Sequence, residues 1–234
     1  MQAEEAREEL LKAADERLYP SLRSPNYLVL TRRRKIIMGW LERMPREKLR
    51  VLDVGARYQP YRPLFQGRTE KYVAVDVIST DLVDVVADGQ YLPFMAESFD
   101  VAICTGVFEF FPEPRIAAKE VYSVLKTGGI LIMSVASVNH RFRDDEHWRF
   151  LPAGIRSLLS QFSQVEIVPE LFSAGSICRF LNYSLDTFAK YSAVRALFSV
   201  TAYPMLNFLG AGIERLAISK NHQFASNYSI LAQK

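Results

Sequence analysis

From residue 50 onward, short apolar runs alternate with longer mixed segments. The runs fall at 50–54, 72–77, 82–87, 101–105 and 130–135, each of strand length and mostly rich in Val or Ile. Most are apolar throughout, as strands covered on both faces are. Residues 114–125 between the last two runs carry a helical pattern, and Gly128-Gly129 is expected to stop it. Strand, helix and strand with short connections predict a parallel sheet with right-handed crossovers. Another helix starts near Pro152, and further strands are expected at 164–168 and 228–232.

The first fifty residues have a different texture. Residues 4–19 form a polar, acidic helix with a thin stripe of Leu10, Leu11 and Leu18, ended by Pro20 and Pro25. Residues 27–44 form a second helix carrying Ile36, Ile37, Trp40 and Leu41. Its basic cluster, Arg32 to Lys35, is either a solvated face or a surface for an acidic partner or anionic lipid. The boundaries expected are an N-terminal helical segment, 1–48, and a sheet-bearing domain, 49–234, with an apolar helical insertion at 172–219. In that insertion Ile177, Phe180, Leu181, Leu185 and Phe188 recur at helical spacing, with Arg179, Asn182, Asp186 and Lys190 between them. An uncharged run follows at 196–213, which Pro204 is expected to kink. A bilayer crossing is disfavoured, because the strands on both sides must return to one sheet. That leaves a lid on the domain, a homodimer face, or a patch in contact with a membrane surface. Six basic and two acidic side chains from Leu171 to the end suit the last.

Composition narrows the function. With 49% hydrophobic and 24% charged residues, the 234-residue chain has the makings of a real core. Two cysteines, Cys104 and Cys178, exclude a disulfide scaffold and a multi-cysteine zinc module. No metal site is expected: three histidines offer few ligands, and the patch Asp144, Asp145, Glu146 and His147 lies in one loop. A net charge of +3 is too slight for a nucleic-acid binder. The start, Met-Gln-Ala then Glu4, Glu5 and Glu8, lacks the basic and apolar regions of a secretory signal. The expected location is cytoplasmic, with peripheral contact at the inner face of the membrane as the further alternative.

Chemistry concentrates at strand ends. Val51-Leu52-Asp53-Val54-Gly55-Ala56 reads as a buried strand carrying an acid, then a glycine turn. Asp76 ends the second strand, 21 residues after Gly55, where a carboxylate can accept hydrogen bonds from both hydroxyls of a ribose. Asp88, followed by Gly89, is expected to end the third. Open parallel sheets bind ligands beyond these strand ends. The turn lacks G-x-G-x-x-G, and the acids would repel a diphosphate, so a dinucleotide is poorly served. A ligand bringing an amino group and a sulfonium centre is better suited.

The chain resembles the class I S-adenosylmethionine-dependent methyltransferases over roughly residues 48–170. The likeness rests on Val-Leu-Asp-Val-Gly-Ala at 51–56, Val-Asp at 75–76, Ala-Asp-Gly-Gln-Tyr-Leu-Pro-Phe at 87–94, Ser-Phe-Asp-Val at 98–101, Val-Phe-Glu-Phe-Phe at 107–111 and Val-Leu-Lys-Thr-Gly-Gly at 124–129. It implies an α/β fold: a Rossmann-like, doubly wound, seven-stranded sheet with an antiparallel last strand. It makes S-adenosylmethionine the cofactor. Asp53 and Gly55 would touch its methionine end, Asp76 with Val77 its ribose, and Asp88 with Gly89 its adenine side. Thr105 and Gly106 would close the pocket. Two departures stand out: Ala56-Arg57 where relatives often continue Gly-x-Gly, and Glu109-Phe110 where many have Glu-His. Arg57 either points away or pairs with the cofactor's carboxylate.

The segment with His140 and Glu146-His147-Trp148-Arg149-Phe150 resembles bacterial relatives associated with cell-surface glycan or lipid-linked pathways. The expected activity is methyl transfer, on oxygen, to a small-molecule, glycan or lipid-linked acceptor. His140 is the candidate base. Tyr61, His147, Trp148 and Arg149 are the candidate acceptor contacts. The alternative is a non-catalytic scaffold that binds the cofactor, favoured by Arg57 and the missing histidine.

Overall fold

The apolar runs assemble into one twisted sheet in a computed structural model that describes residues 2–44, 48–141, 143–189, 191–216 and 222–234. Its strands are β1 (Leu49–Val54), β2 (Thr69–Asp76), β3 (Val85–Val86), β4 (Phe99–Thr105), β5 (Leu125–Ala136), β6 (Gln164–Pro169) and β7 (Asn227–Gln233). Their order is β3-β2-β1-β4-β5-β7-β6. The first five run parallel, while β7 inserts antiparallel to both β5 and β6. This is the doubly wound arrangement with the reversed last strand that the sequence implied.

The helices are α1 (Gln2–Leu18), α2 (Tyr27–Glu42), α3 (Pro114–Val124), α4 (Pro152–Leu158), α5 (Ser173–Phe188), α6 (Ser192–Val200) and α7 (Ala202–Leu216). Successive strand residues point to opposite faces, and both faces are covered. Leu52, Val54, Ala102 and Leu131 pack with Ala117 and Val121 of α3 and Ile155 of α4. Val51, Val101, Ile103 and Ile132 pack with Leu18 of α1 and Ile37, Trp40 and Leu41 of α2. Two covered faces explain why the strands are apolar without alternation.

Two local expectations change. The third strand keeps only Val85–Val86, so Asp88 lies in the turn beyond it, not at its end. Few partners hold this edge strand, which pairs with β2 alone. Helix α3 stops at Val124, before the glycine pair, and Gly128 and Gly129 lie within β5. Gly128 adopts φ +78°, and a Cβ on Gly129 would lie 2.7 Å from the Lys126 carbonyl oxygen, so both serve a bend in the strand.

The insertion is helical as expected, but α5 is turned over. Its buried residues are Gly175, Ser176, Cys178, Arg179, Asn182 and Tyr183, while Ile177, Phe180, Leu181 and Phe188 face outward. Lys190, assigned to the polar face, lies outside the described residues, as do 217–219. Helix α7 repeats the inversion: Asn207 is buried between Asn182 and the carbonyls of Leu22 and Ser24, and Phe208 is 77% exposed. Helix α6 has no buried residue. The chain bends at Thr201, between α6 and α7. Pro204 therefore sits in the first turn of α7, where a missing N–H leaves no helical bond unmade. Taken together, residues 192–216 are long and apolar enough to cross a membrane. The strands on either side, β6 and β7, pair with each other in one sheet.

Candidate functional site

The C-terminal ends of β1, β2 and β4 and the turns after them meet at one edge of the sheet. Gly55 leaves β1 at φ +76°, and a Cβ there would lie 2.6 Å from the Val107 side chain. Only glycine fits this turn. The amides of Gly55 and Ala56 both donate to the Val75 carbonyl, at 2.8 and 2.9 Å, which clamps the turn to β2. The next amide, of Arg57, donates to Asp76 Oδ2 at 3.1 Å, and that of Ile78 donates to Oδ1 at 2.9 Å. Asp76 is thereby fixed, half-buried, with a spare lone pair on each oxygen. Two spare acceptors on one fixed carboxylate suit a pair of neighbouring hydroxyls. Val77 follows it, exposed.

Asp88 accepts from the Gln90 amide at 2.9 Å and from Gln90 Nε2 at 3.1 Å. A Cβ on Gly89 would lie 2.6 Å from Phe111 and 2.8 Å from Val54, so this glycine lets the loop close on the core. Thr105 ends β4, half-buried, and Gly106 turns away at φ +63° with open space where its Cβ would be. Asp53 differs from the other acids. It is buried beneath the edge and accepts from the Tyr72 hydroxyl at 2.6 Å. Burial pushes its carboxyl up to about 7; the Tyr72 bond opposes this and Asp76 adds to it.

Arg57 extends into a cleft of about 540 Å³ lined by Tyr58, Ser79, Thr80, Asp81 and residues of α1, among them Arg7 and Leu10. Its Nε is buried without a hydrogen-bond partner. An unsatisfied guanidinium nitrogen two residues past the glycine turn suits a carboxylate. With the acceptor pair on Asp76, the donor set fits an amino-acid nucleoside such as S-adenosylmethionine.

A second group lies beyond β5. Glu109 is buried, and its carboxylate accepts the Ala136 amide while its backbone oxygen accepts the amides of His147 (2.7 Å) and Trp148 (3.2 Å). Burial raises its carboxyl above the ordinary range. One residue thus ties the segment after β5 to the end of β4, a role the sequence reading did not assign. Arg149 donates to Glu146, to the His140 carbonyl at 3.0 Å and to the Trp148 carbonyl at 2.9 Å. Trp148, partly exposed, donates from Nε1 to the Phe111 carbonyl at 2.9 Å. His147 is exposed. His140 packs on the Tyr183 ring at 4.0 Å between centroids. Burial lowers its pKa, with Arg179 and Arg149 acting in the same direction against Glu146 and Asp186. Tyr61 stands apart from this group: it is buried against α2 in the second core cluster, beside Arg33, and packs rather than lining an opening.

The side of α5 that carries Arg179 and Tyr183 closes the back of this group. Arg179 is 4% exposed and donates to Asn139 Oδ1 at 3.2 Å and Asn26 Oδ1 at 3.3 Å. The Tyr183 hydroxyl donates to the same Asn26 oxygen. The available signal was an arginine and two asparagines, Asn182 and Asn207, in an otherwise apolar stretch.

Residues 52–133 match the methyltransferase-domain family. A 96-residue stretch is 39% identical to 2-methyl-6-phytyl-1,4-hydroquinone methyltransferase 2, chloroplastic, of Oryza sativa subsp. japonica. That match covers 41% of this chain and spans about a quarter, 24%, of the rice protein. Among solved structures, a SAM-dependent methyltransferase from Archaeoglobus fulgidus superposes with a TM-score of 0.53 at 16% identity, over 86% of this chain and 94% of that one. Phosphoethanolamine N-methyltransferase 2 of Haemonchus contortus gives 0.53 at 15%, over 94% and 60%. The [4+2]-cyclase SpnF gives 0.54 at 18%, over 86% and 80%. At such identities the likeness is one of fold, and these names show that the fold alone does not fix a reaction.

Proposed function

We propose that this chain, which carries a methyltransferase domain at residues 52–133, uses S-adenosylmethionine to methylate an oxygen of a small-molecule, glycan or lipid-linked acceptor. The reading rests on one observation: just past the glycine turn the Arg57 amide holds a fixed carboxylate, Asp76, while the side-chain Nε of the same Arg57 has no hydrogen-bond partner. When bound, the cofactor supplies an electrophilic methyl group on a sulfonium sulfur. Asp76 would hold the ribose hydroxyls, and Arg57 the carboxylate. Gly106 would leave the backbone bare on the reacting side, while Gly55 lets the turn close against Val107. His140 supports the choice of oxygen. Its pKa lies below the ordinary histidine value, so the ring is neutral at pH 7 and can accept the proton that an acceptor hydroxyl gives up. Arg149, Trp148 and His147 would border the acceptor, held in place by Glu109. The outward apolar faces of α5 to α7 support a cytoplasmic enzyme seated on the inner surface of a membrane, where a lipid-linked acceptor resides.

Calorimetry with S-adenosylmethionine, and transfer of its labelled methyl group to cell extracts, test this reading. Asp76→Ala should weaken cofactor binding by about 1.5–3 kcal/mol, the loss of charge-assisted hydrogen bonds. His140→Ala should lower turnover roughly 10²–10⁴-fold with affinity retained. Unchanged affinity in Asp76→Ala rejects the ribose assignment. Binding without turnover on any extract favours the non-catalytic scaffold.

A further inference from the structure

Helix α5 buries its charged side and exposes its apolar side, so something specific must hold Arg179 inside. No carboxylate pairs with it among the described residues. Glu170, one of the charges acting on it, is already committed. Arg33 donates to both Glu170 oxygens, at 2.7 and 3.0 Å, and the Ser134 and Ser229 hydroxyls donate at 2.6 and 2.8 Å. Arg179 therefore has no ion-pair partner of its own among the described residues and is held by neutral groups, the Asn139 and Asn26 oxygens and the Tyr183 ring 4.8 Å from its guanidinium. A buried cation without a counter-ion is costly, and a ligand anion removes that cost.

The donors for such an anion are present. Arg179 Nε is buried with no hydrogen-bond partner, and so is Asn139 Nδ2. The Asn139 oxygen accepts from Arg179 Nη1, which fixes the amide with its nitrogen left over. Both residues adjoin the proposed base: Asn139 precedes His140 in the chain, and Arg179 acts electrostatically on its ring. We propose that Arg179 and Asn139 form an oxyanion subsite that seats a phosphate or carboxylate group of the acceptor beside His140. The acceptor part of this inference rests on the methyl-transfer reading; the anion site itself does not. It narrows the acceptor class to acidic molecules, either soluble acids or lipids with an acidic headgroup.

Thermal unfolding of the full chain in inorganic phosphate or acetate, against chloride at matched ionic strength, reads the subsite directly. Wild type should be stabilised saturably by at least one of the two anions. Arg179→Met should need at least tenfold more of that anion for the same shift. Arg179→Lys, which keeps the charge and loses Nε, should fall between and serves if the methionine variant does not fold. An equal response in wild type and variant, or none in wild type, overturns the proposal. Vesicles of phosphatidic acid and of phosphatidylcholine separate the two sources. Arg179-dependent preference for phosphatidic acid assigns the site to a headgroup, and the lack of such preference beside an Arg179-dependent response to a free anion assigns it to a soluble acid. Calorimetry with S-adenosylmethionine on the same proteins keeps the readings apart. Loss of cofactor binding in Arg179→Met would give the site to the cofactor and end the acceptor assignment. Absence of cofactor binding in wild type, with the anion response intact, would end the methyl-transfer reading and leave the anion site standing.

Discussion

A carboxylate on a central strand is either paired with a cation or holds its proton, and Asp53 takes the second course. Burial raises it to about 7, while Tyr72 supplies a neutral hydrogen bond. In the unfolded chain it titrates near 3.8. Between those values the folded protein keeps a proton that the unfolded chain releases. The associated stability is complete below about pH 4 and is lost as pH rises through about 7. Asp53→Asn keeps an acceptor for Tyr72 and removes the titration. The variant should therefore show a flatter decline from pH 5 to 8 in urea unfolding without cofactor, and at pH 8 it should be the more stable by a few kcal/mol, to order of magnitude. Glu109, raised in the same direction, contributes to the slope in both proteins. Parallel stability curves for the two proteins would show that Asp53 does not carry the titration.

Legibility differed by element. Gly55, Asp76, Gly89 and Gly106 stood out in the sequence because their residue types answer to backbone geometry at strand ends, which local spacing encodes. The face that α5 buries did not, since a 3.6-residue period separates two sides of a helix without saying which one faces in. Tyr61 was misplaced for a related reason: an aromatic residue near a glycine turn looks alike whether it fills a core or lines a cleft. The same inversion leads to a prediction for the α6–α7 pair. Met205, Phe208 and Leu209 are exposed on one helix, Leu197 and Val200 on the other, and Arg195 and Arg215 stand exposed among them. Apolar side chains beside basic ones suit the interface of an anionic bilayer. The protein should sediment with anionic liposomes at low salt, and a variant with Met205, Phe208 and Leu209 changed to Ser should bind at least tenfold more weakly. Leu206, half-buried, is the poorer choice for such a variant. Wild type that stays in the supernatant, or that sediments alone as a dimer the variant cannot form, would reject the membrane seat.

At the scale of the molecule, the N-terminal helices are tied to the far end of the chain through one buried ion pair. Arg33 of α2 and Glu170, which follows β6, are 137 residues apart and meet at 2.7 Å. Glu170 also takes hydroxyls from β5 and β7, so four elements converge on it. This contact holds α2 over the strands while Trp40, Leu41 and Ile37 of the same helix fill the core beneath. The apolar contact supplies most of the docking energy, and the ion pair fixes the position. Removing one partner leaves a buried charge uncompensated, whereas neutralising both together leaves none. Glu170→Gln should therefore destabilise the fold by about 3–5 kcal/mol, and Arg33→Met by a comparable amount. The double variant Arg33→Met, Glu170→Gln should fall well short of the sum, since the amide oxygen still accepts from the Ser134 and Ser229 hydroxyls. Urea unfolding of the four proteins of this cycle at one pH measures the coupling directly. Additive losses would mean that Arg33 and Glu170 act through separate partners, and the orientation of α2 would then have to come from its apolar face alone.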